Sequence, residues 1–350
     1  MERRTRSRRE LTPHMMMWRL IWLTVIMAFV LVTGYGVRLY AQTENAVKGT
    51  YQPTTKTTKV TKKNIEATKP ISILLMGTDT GALGRTDKGR TDTMIVATIN
   101  PKQKRTTMVS IPRDTYVQIQ GGTVQGDKIN AAYTYNGTDG AISTVSKLLA
   151  VPINYYVLVN MTGLRKIVDA VGGVDVNVAF SWTDPQHVGN YQFTKGPMHL
   201  NGAQALAYAR MRYLDPEGDY GRQKRQQEVI EGIVKNALSA GTLSNYSTLM
   251  KSLSSAIQTN LTFDEIKSIA TGYSSSAKTF NQKTLKGTGA MVNGASLQLP
   301  STAELQSVSD LLRGELGLSK TTLNNYSTKE NAANANTFNF STGAGTYTLY

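Results

Sequence analysis

The chain has 350 residues, 40% of them hydrophobic, and a formal net charge of +15. That length accommodates one large domain or two ordinary ones, and the apolar fraction supports a packed core. Cysteine is absent, which excludes disulfides, thiolate catalysis and the common zinc modules.

The amino-terminal end accounts for most of the charge. Residues 1–70 hold 13 Lys/Arg against 4 Asp/Glu, so +9 lies there and +6 is spread over the rest. The excess reads as a membrane-facing leader plus a local anion site, and no nucleic-acid partner is expected. Residues 1–19 form a basic tail with Arg3, Arg4, Arg6, Arg8 and Arg9. An uncharged apolar run follows between Arg19 and Arg38, long enough at residues 20–38 to span a hydrocarbon core. Trp18, Trp22, Tyr35 and Tyr40 sit near its two ends, where aromatic belts belong. The cationic flank precedes the run, which predicts a cytoplasmic amino terminus and an extracellular remainder. A Thr- and Lys-rich flexible stalk is expected over residues 39–69.

Past Pro70 the pattern changes. Ile71–Met76, Thr93–Ile99 and Met108–Ile111 are short apolar runs closed by Gly77, by Asn100-Pro101 and by Pro112, and they read as buried strands. Lys128–Tyr135 and Gly140–Ala150 read as helices, Asn154–Asn160 as a strand, and Met161–Val171 as a helix stopped by Gly172-Gly173. Val174–Val178 alternates as a strand, and Phe180–Met198 reads as a polar loop or hairpin. Helices are predicted at Asn201–Arg210, Gly221–Ser239, Leu243–Thr259, Thr262–Thr271 and Thr302–Gly314, with a short strand near Thr284–Met291. Residues 319–350, rich in Asn, Thr, Ser, Ala and Gly, are expected to be disordered. The fold class is mixed α/β, a largely antiparallel or mixed central sheet covered by helices over residues 70–318.

Chemistry-bearing residues gather at the strand ends. Asp79 follows the first strand, Arg90 and Asp92 precede the second, Arg113 follows the third, and Arg85 lies between the first two. In an antiparallel meander those positions share one end of the sheet. Two carboxylates that leave the remaining ligands to phosphate oxygens and water suit magnesium, and Arg113 suits a bidentate grip on phosphate. A second cluster comprises Arg210 and Arg212, then Arg222, Arg225 and Gln226 on a helix. The apolar stripe of that helix, Val229, Ile230, Ile233, Val234, Ala237 and Leu238, projects back onto those last three residues. They should therefore face inward near the helix amino terminus, where an anion is favoured. The other reading is an internal network with Asp215, Glu217 or Asp219. Gly-Arg-Thr-Asp occurs at Gly84–Asp87 and at Gly89–Asp92, and only the second abuts a strand, which favours Asp92 as the functional carboxylate.

In order and spacing, these segments resemble the LytR–CpsA–Psr family of Gram-positive cell-wall enzymes. The matching stretches are Leu74–Asp79, Gly89–Met94, Val109–Tyr116, Lys128–Tyr133, Tyr155–Asn160, Val171–Val178, Leu200–Tyr208, Arg210–Arg212 and Gly218–Gln227. The resemblance implies transfer of a glycopolymer, such as wall teichoic acid or capsular polysaccharide, from undecaprenyl pyrophosphate to peptidoglycan through a phosphodiester. It implies a membrane-anchored extracellular domain that binds magnesium and holds the lipid in an apolar tunnel. It assigns Asp79 and Asp92 to the metal, and Arg85, Arg90, Arg113, Arg210, Arg212, Arg222 and Gln226 to the pyrophosphate. Arg113, Arg212 and Arg222 would stabilise charge in the transfer, with Asp92 a candidate base. Two alternatives stay open at this point: a polyprenyl-pyrophosphate hydrolase, and a non-enzymatic membrane-tethered sensor or transcriptional attenuator of wall precursors.

Overall fold

The computed structural model describes residues 49–79, 89–121, 126–184, 190–238 and 256–349. The expected membrane span, the basic tail and Arg85 lie outside these residues. Among the described residues no helix is long and apolar enough to cross a membrane.

The chain enters through a short helix, α1 (Lys62–Glu66), capped by Thr61. Strands β1 (Ile71–Thr78), β2 (Thr91–Asn100) and β3 (Arg105–Ser110) follow as an antiparallel meander, as expected. Helix α2 spans Ala131–Leu149. The two helices expected there are present as two helical stretches joined across a kink, where Asn136 and Gly137 leave helical geometry and Gly137 has φ +63°; the first begins at Ala131 and not at Lys128. Beside the kink the Asn136 side-chain Nδ2 donates to the Gln120 carbonyl at 3.0 Å. Strand β4 (Tyr155–Asn160) then pairs parallel to β1.

Helix α3 (Met161–Ala170), strands β5 (Val174–Val178) and β6 (Gly196–Leu200), and helices α4 (Gly202–Arg210) and α5 (Asp219–Ala237) form the next segment. Within Phe180–Met198, Trp182–Thr183 pairs with Gln192–Phe193, and β6 begins at Gly196 to pair with β5. The end of the expected helix Leu243–Thr259 is instead a strand, β7 (Ile257–Thr259), because its backbone completes the sheet beside β4. Helix α6 (Phe263–Gly272) has a full capping box from Thr262 and Glu265. The single strand expected near Thr284–Met291 resolves into β8 (Phe280–Thr284) and β9 (Thr288–Val292), and β9 pairs with β10 (Ala295–Leu299). Helices α7 (Thr302–Glu315) and α8 (Tyr326–Ala333) close the chain.

The six-stranded sheet has the order β7-β4-β1-β2-β3-β8. One face carries Leu74, Met76, Val96 and Val109 against Ile142, Val145 and Leu149 of α2 and Leu305, Val308 and Leu312 of α7. The opposite face carries Ile71, Ile73 and Tyr155 beside Ile65, Leu261 and Tyr273, with Ile95, Ala97 and Met108 further along. A separate core built on Val174, Val176, Leu200, Tyr208 and Val229 sits under the β5–β6 pair, with Trp182 stacked on Phe193 at 4.1 Å.

Two expectations of disorder are corrected. The described part of the stalk is tied down: Thr58 N donates to Ile153 O at 2.7 Å, the Tyr156 hydroxyl donates to Gln52 O at 2.8 Å, and Ile65 is buried. The carboxy-terminal segment folds onto the β9–β10 hairpin, where Phe338 and Tyr347 bury with Tyr116, Val292, Leu297 and Leu299. Its asparagines act as surrogate backbone partners. Asn325 donates to Leu148 O at 2.8 Å, Asn331 to Pro300 O at 2.9 Å, and Asn334 to Thr348 O at 2.8 Å.

Candidate active site

The meander places the end of β1, the start of β2 and the end of β3 together. Register between β1 and β2 runs regularly from Ile71 opposite Ile99 to Gly77 opposite Thr93, then shifts so that Thr78 faces Thr91. Asp92 is the extra, unpaired residue of this irregularity, and Asp79 follows it directly on the other strand. A Cβ at Gly77 would lie 3.1 Å from the Thr93 side chain, so a larger residue there would need Thr93 to give by a few tenths of an ångström.

Arg113 leaves β3 through Ile111-Pro112 and is held by its backbone: Asn130 N donates to Arg113 O at 3.3 Å, and Thr115 N to Pro112 O at 3.0 Å. Its Nη1 pairs with Asp92 Oδ1 at 3.0 Å, and its Nε stands 3.8 Å from Asp114 Oδ2 without a hydrogen bond. Asp114 is held in turn by Lys128 at 2.8 Å. Burial works against the Arg113 charge, but Asp92, then Asp114 and Asp219, outweigh it and raise its pKa above the ordinary arginine value.

The second cluster meets the first here. Asp219 opens α5; its Oδ2 accepts from Gln223 at 2.8 Å, while its Oδ1 lies 2.7 Å from Arg222 Nη2 and 3.8 Å from Arg212 Nε. The Arg222 approach is a charge contact off the hydrogen-bonding direction, and Arg222 Nε also makes no hydrogen bond among the described residues. Burial drives the Arg222 pKa down; Asp219 and Asp92 oppose that, and the nearby Arg113 and Arg212 reinforce it. A buried guanidinium flanked by two more guanidiniums is short of negative charge. The arrangement suits a multiply charged anion such as a diphosphate.

The structure therefore brings together Asp92, Arg113, Arg212 and Arg222, with Asp79 at the adjoining strand end. Among the described residues no ion pair links Arg90, Arg210 or Gln226 to that group. Arg90 is exposed at the entry to β2, Arg210 is half-buried in the last turn of α4, and Gln226 donates to Ala209 O at 3.4 Å. Arg225, read from sequence as facing the same anion, belongs to the internal network instead. Its Nε donates to Tyr208 O at 3.0 Å, and its two terminal nitrogens donate to Asp215 and to Met211 O.

Four contributors are not singled out by the sequence. Asp219 was weighed only as an internal partner, whereas it bridges Arg212 and Arg222. Asp114 and Lys128 form a pair across a loop, and adjacency of Asp114 to Arg113 was the one available signal. Gln227, 1% exposed, donates to Ser110 Oγ at 2.8 Å and to Lys283 O at 2.9 Å, fastening α5 to the strand end that delivers Arg113.

Comparison with known proteins agrees with this geometry. Residues 37–314 match the LytR_cpsA_psr family. The chain is 44% identical over 292 residues to the polyisoprenyl-teichoic acid–peptidoglycan teichoic acid transferase TagU of Enterococcus faecalis, covering 83% of this chain and 94% of that protein. It is 42% identical over 275 residues to TagU of Bacillus subtilis, covering 78% and 87% respectively. The solved structure of TagT bound to LIIa-WTA superposes with a TM-score of 0.63 at 28% identity, over 76% of this chain and 97% of that one. Family match, identity, fold and the strand-end cluster coincide: the chain belongs to the LytR_cpsA_psr family.

Proposed function

We propose that the protein is a phosphotransferase that moves a glycopolymer from a polyprenyl pyrophosphate carrier to peptidoglycan, leaving the two joined by a phosphodiester. The observation that carries this reading is Arg222, buried at 7% exposure among Arg113 and Arg212 with its Nε unbonded. A diphosphate supplies the missing charge and acceptors. The names of the TagU relatives and the TagT complex support a teichoic-acid-type glycan as the class of polymer.

Arg113, Arg212 and Arg222 bind the diphosphate and stabilise charge that accumulates on its oxygens as the reaction proceeds. Asp92 and Asp219 keep these arginines aimed before substrate arrives, so little reorganisation is needed. The acceptor hydroxyl, giving up its proton to Asp92 as the candidate base, attacks the phosphorus attached to the glycan; a new O–P bond forms, the P–O bond of the pyrophosphate bridge breaks, and polyprenyl phosphate departs. The donor set at Asp79 and Asp92 fits magnesium, which accepts two carboxylates and completes its shell with phosphate oxygens and water. Bound there, magnesium would neutralise pyrophosphate charge and polarise the reacting phosphorus.

The polyprenyl chain would lie in the apolar layer between sheet and helices, where Leu75 and Ile230 stand half-buried beside Ile95 and Met108. The apolar run at 20–38, with arginines at both ends, supports a single-pass anchor in a Gram-positive cell membrane with the catalytic domain outside. The test incubates the full chain in detergent with magnesium, a lipid-pyrophosphate-linked oligosaccharide and uncrosslinked peptidoglycan, followed by mass spectrometry. The expected product is joined through one phosphate, and it disappears in Arg113→Ala or Asp92→Ala while thermal stability holds. Release of the free glycan phosphate together with polyprenyl phosphate, with nothing joined to peptidoglycan, would overturn the transferase reading in favour of hydrolysis.

A further inference from the structure

Tyr220 is the second residue of α5, yet its side chain leaves the arginine cluster and reaches the start of the β9–β10 hairpin. Its hydroxyl accepts from Gly287 N at 3.0 Å and lies 3.0 Å from Gly287 O and 3.2 Å from Gln298 Oε1, two acceptors for its one proton. Gln298 has a second attachment. Its backbone N donates to Asp114 O at 2.9 Å, and it bridges in parallel register to Thr115. One residue of β10 thus touches both chain segments that supply the arginines. The hairpin is fixed from behind by Phe338 and Tyr347 packed on Leu297 and Leu299.

The first turn of α5 needs such an anchor. Its N-cap is Gly218, at φ +56° and with no side-chain cap, so the usual means of pinning a helix start is missing. The Asp215–Arg225 pair holds the turn from one side. On the other side Arg222, Arg113 and Arg212 repel one another, which tends to spread the cluster. Burial raises the pKa of the Tyr220 phenol, so it remains a neutral donor throughout the physiological range.

We propose that Tyr220 is a positioning residue for the anion site: by gripping Gly287 and Gln298 it fixes the separation of Arg222 from Arg113. The inference rests on the arginine cluster being the diphosphate site described above. It does not require the protein to turn substrate over.

The test is calorimetric titration of the full chain with inorganic pyrophosphate. Tyr220→Phe keeps the ring and removes the hydroxyl, and it should weaken binding about tenfold through misplacement of the arginines. Tyr347→Phe removes another hydroxyl of the same region, bonded to Asn331 at 3.1 Å, and should leave the affinity unchanged. In an Arg222→Lys background most of the Tyr220→Phe effect should vanish, because both changes act on one contact. Wild-type affinity in Tyr220→Phe, or the same tenfold loss in both backgrounds, would overturn the positioning role alone. Failure of the wild-type chain to bind pyrophosphate would instead overturn the anion site, and the positioning role with it.

Discussion

Arg225 and Arg222 lie three residues apart on α5, with 6% and 7% of their surfaces exposed, yet their surroundings differ in kind. Every nitrogen of Arg225 has a protein acceptor, and its guanidinium stands 5.8 Å over the Tyr208 ring. Arg222 faces one carboxylate at a poor angle, leaves Nε unbonded and shares its surroundings with two other arginines. Burial alone therefore does not distinguish a structural arginine from a ligand-binding one. What does is whether the protein itself supplies an acceptor for each guanidinium nitrogen. At Arg225 it does and the residue cements the fold; at Arg222 it does not, and the deficit is left for substrate.

The comparison can be broken by exchanging the consequences. Arg225→Met leaves Asp215 buried without its partner, and should lower unfolding free energy by roughly 3–5 kcal/mol, seen as a lower urea midpoint. An unchanged midpoint would mean that the network around Asp215 stabilises nothing. Arg222→Ala should do the reverse: a loss of about 10²–10³ in transfer rate, measured by product mass spectrometry, with stability changed by less than about 1 kcal/mol. A large drop in stability there would erase the distinction.

A third pair sharpens the scale from its exposed end. His199 Nδ1 lies 2.7 Å from Asp175, and Nε2 lies 2.9 Å from Gly172 O, with both side chains mostly in solvent. The Asp175 hydrogen bond outweighs burial, and the folded His199 pKa is raised above its ordinary value. Its contribution is therefore complete below about pH 6.5 and is lost as pH climbs through the raised folded value. Being exposed, it should amount to less than about 1 kcal/mol, so His199→Gln should flatten only a shallow decline in stability across that window. A steep decline in the variant would assign the pH dependence to another group.

Much of this was legible in the chain. Ile71–Met76, Thr93–Ile99 and Met108–Ile111 are short apolar runs with punctuated ends, so their strand identity followed from local pattern, while bringing the ends that carry Asp79, Asp92 and Arg113 together needed the antiparallel pairing that the structure supplies. The carboxy-terminal segment was misread because composition averages over residues. Two buried aromatics, Phe338 and Tyr347, carry its packing, and asparagines that look like loop formers are bonded to carbonyls elsewhere in the chain.

The sequence by itself determined most of the periodic elements, the placing of Asp79, Asp92 and Arg113 at strand termini and the inward face of α5. These depend on neighbours within a few residues, where spacing along the chain equals position in space. Only the tertiary structure decided which inward arginine is satisfied, that Asp219 joins Arg212 to Arg222, and that Tyr220 reaches Gln298. Whether a buried charge finds its acceptor depends on a few ångströms between segments far apart in the chain. No local pattern encodes that distance, because it is set by how the sheet, α5 and the β9–β10 hairpin pack.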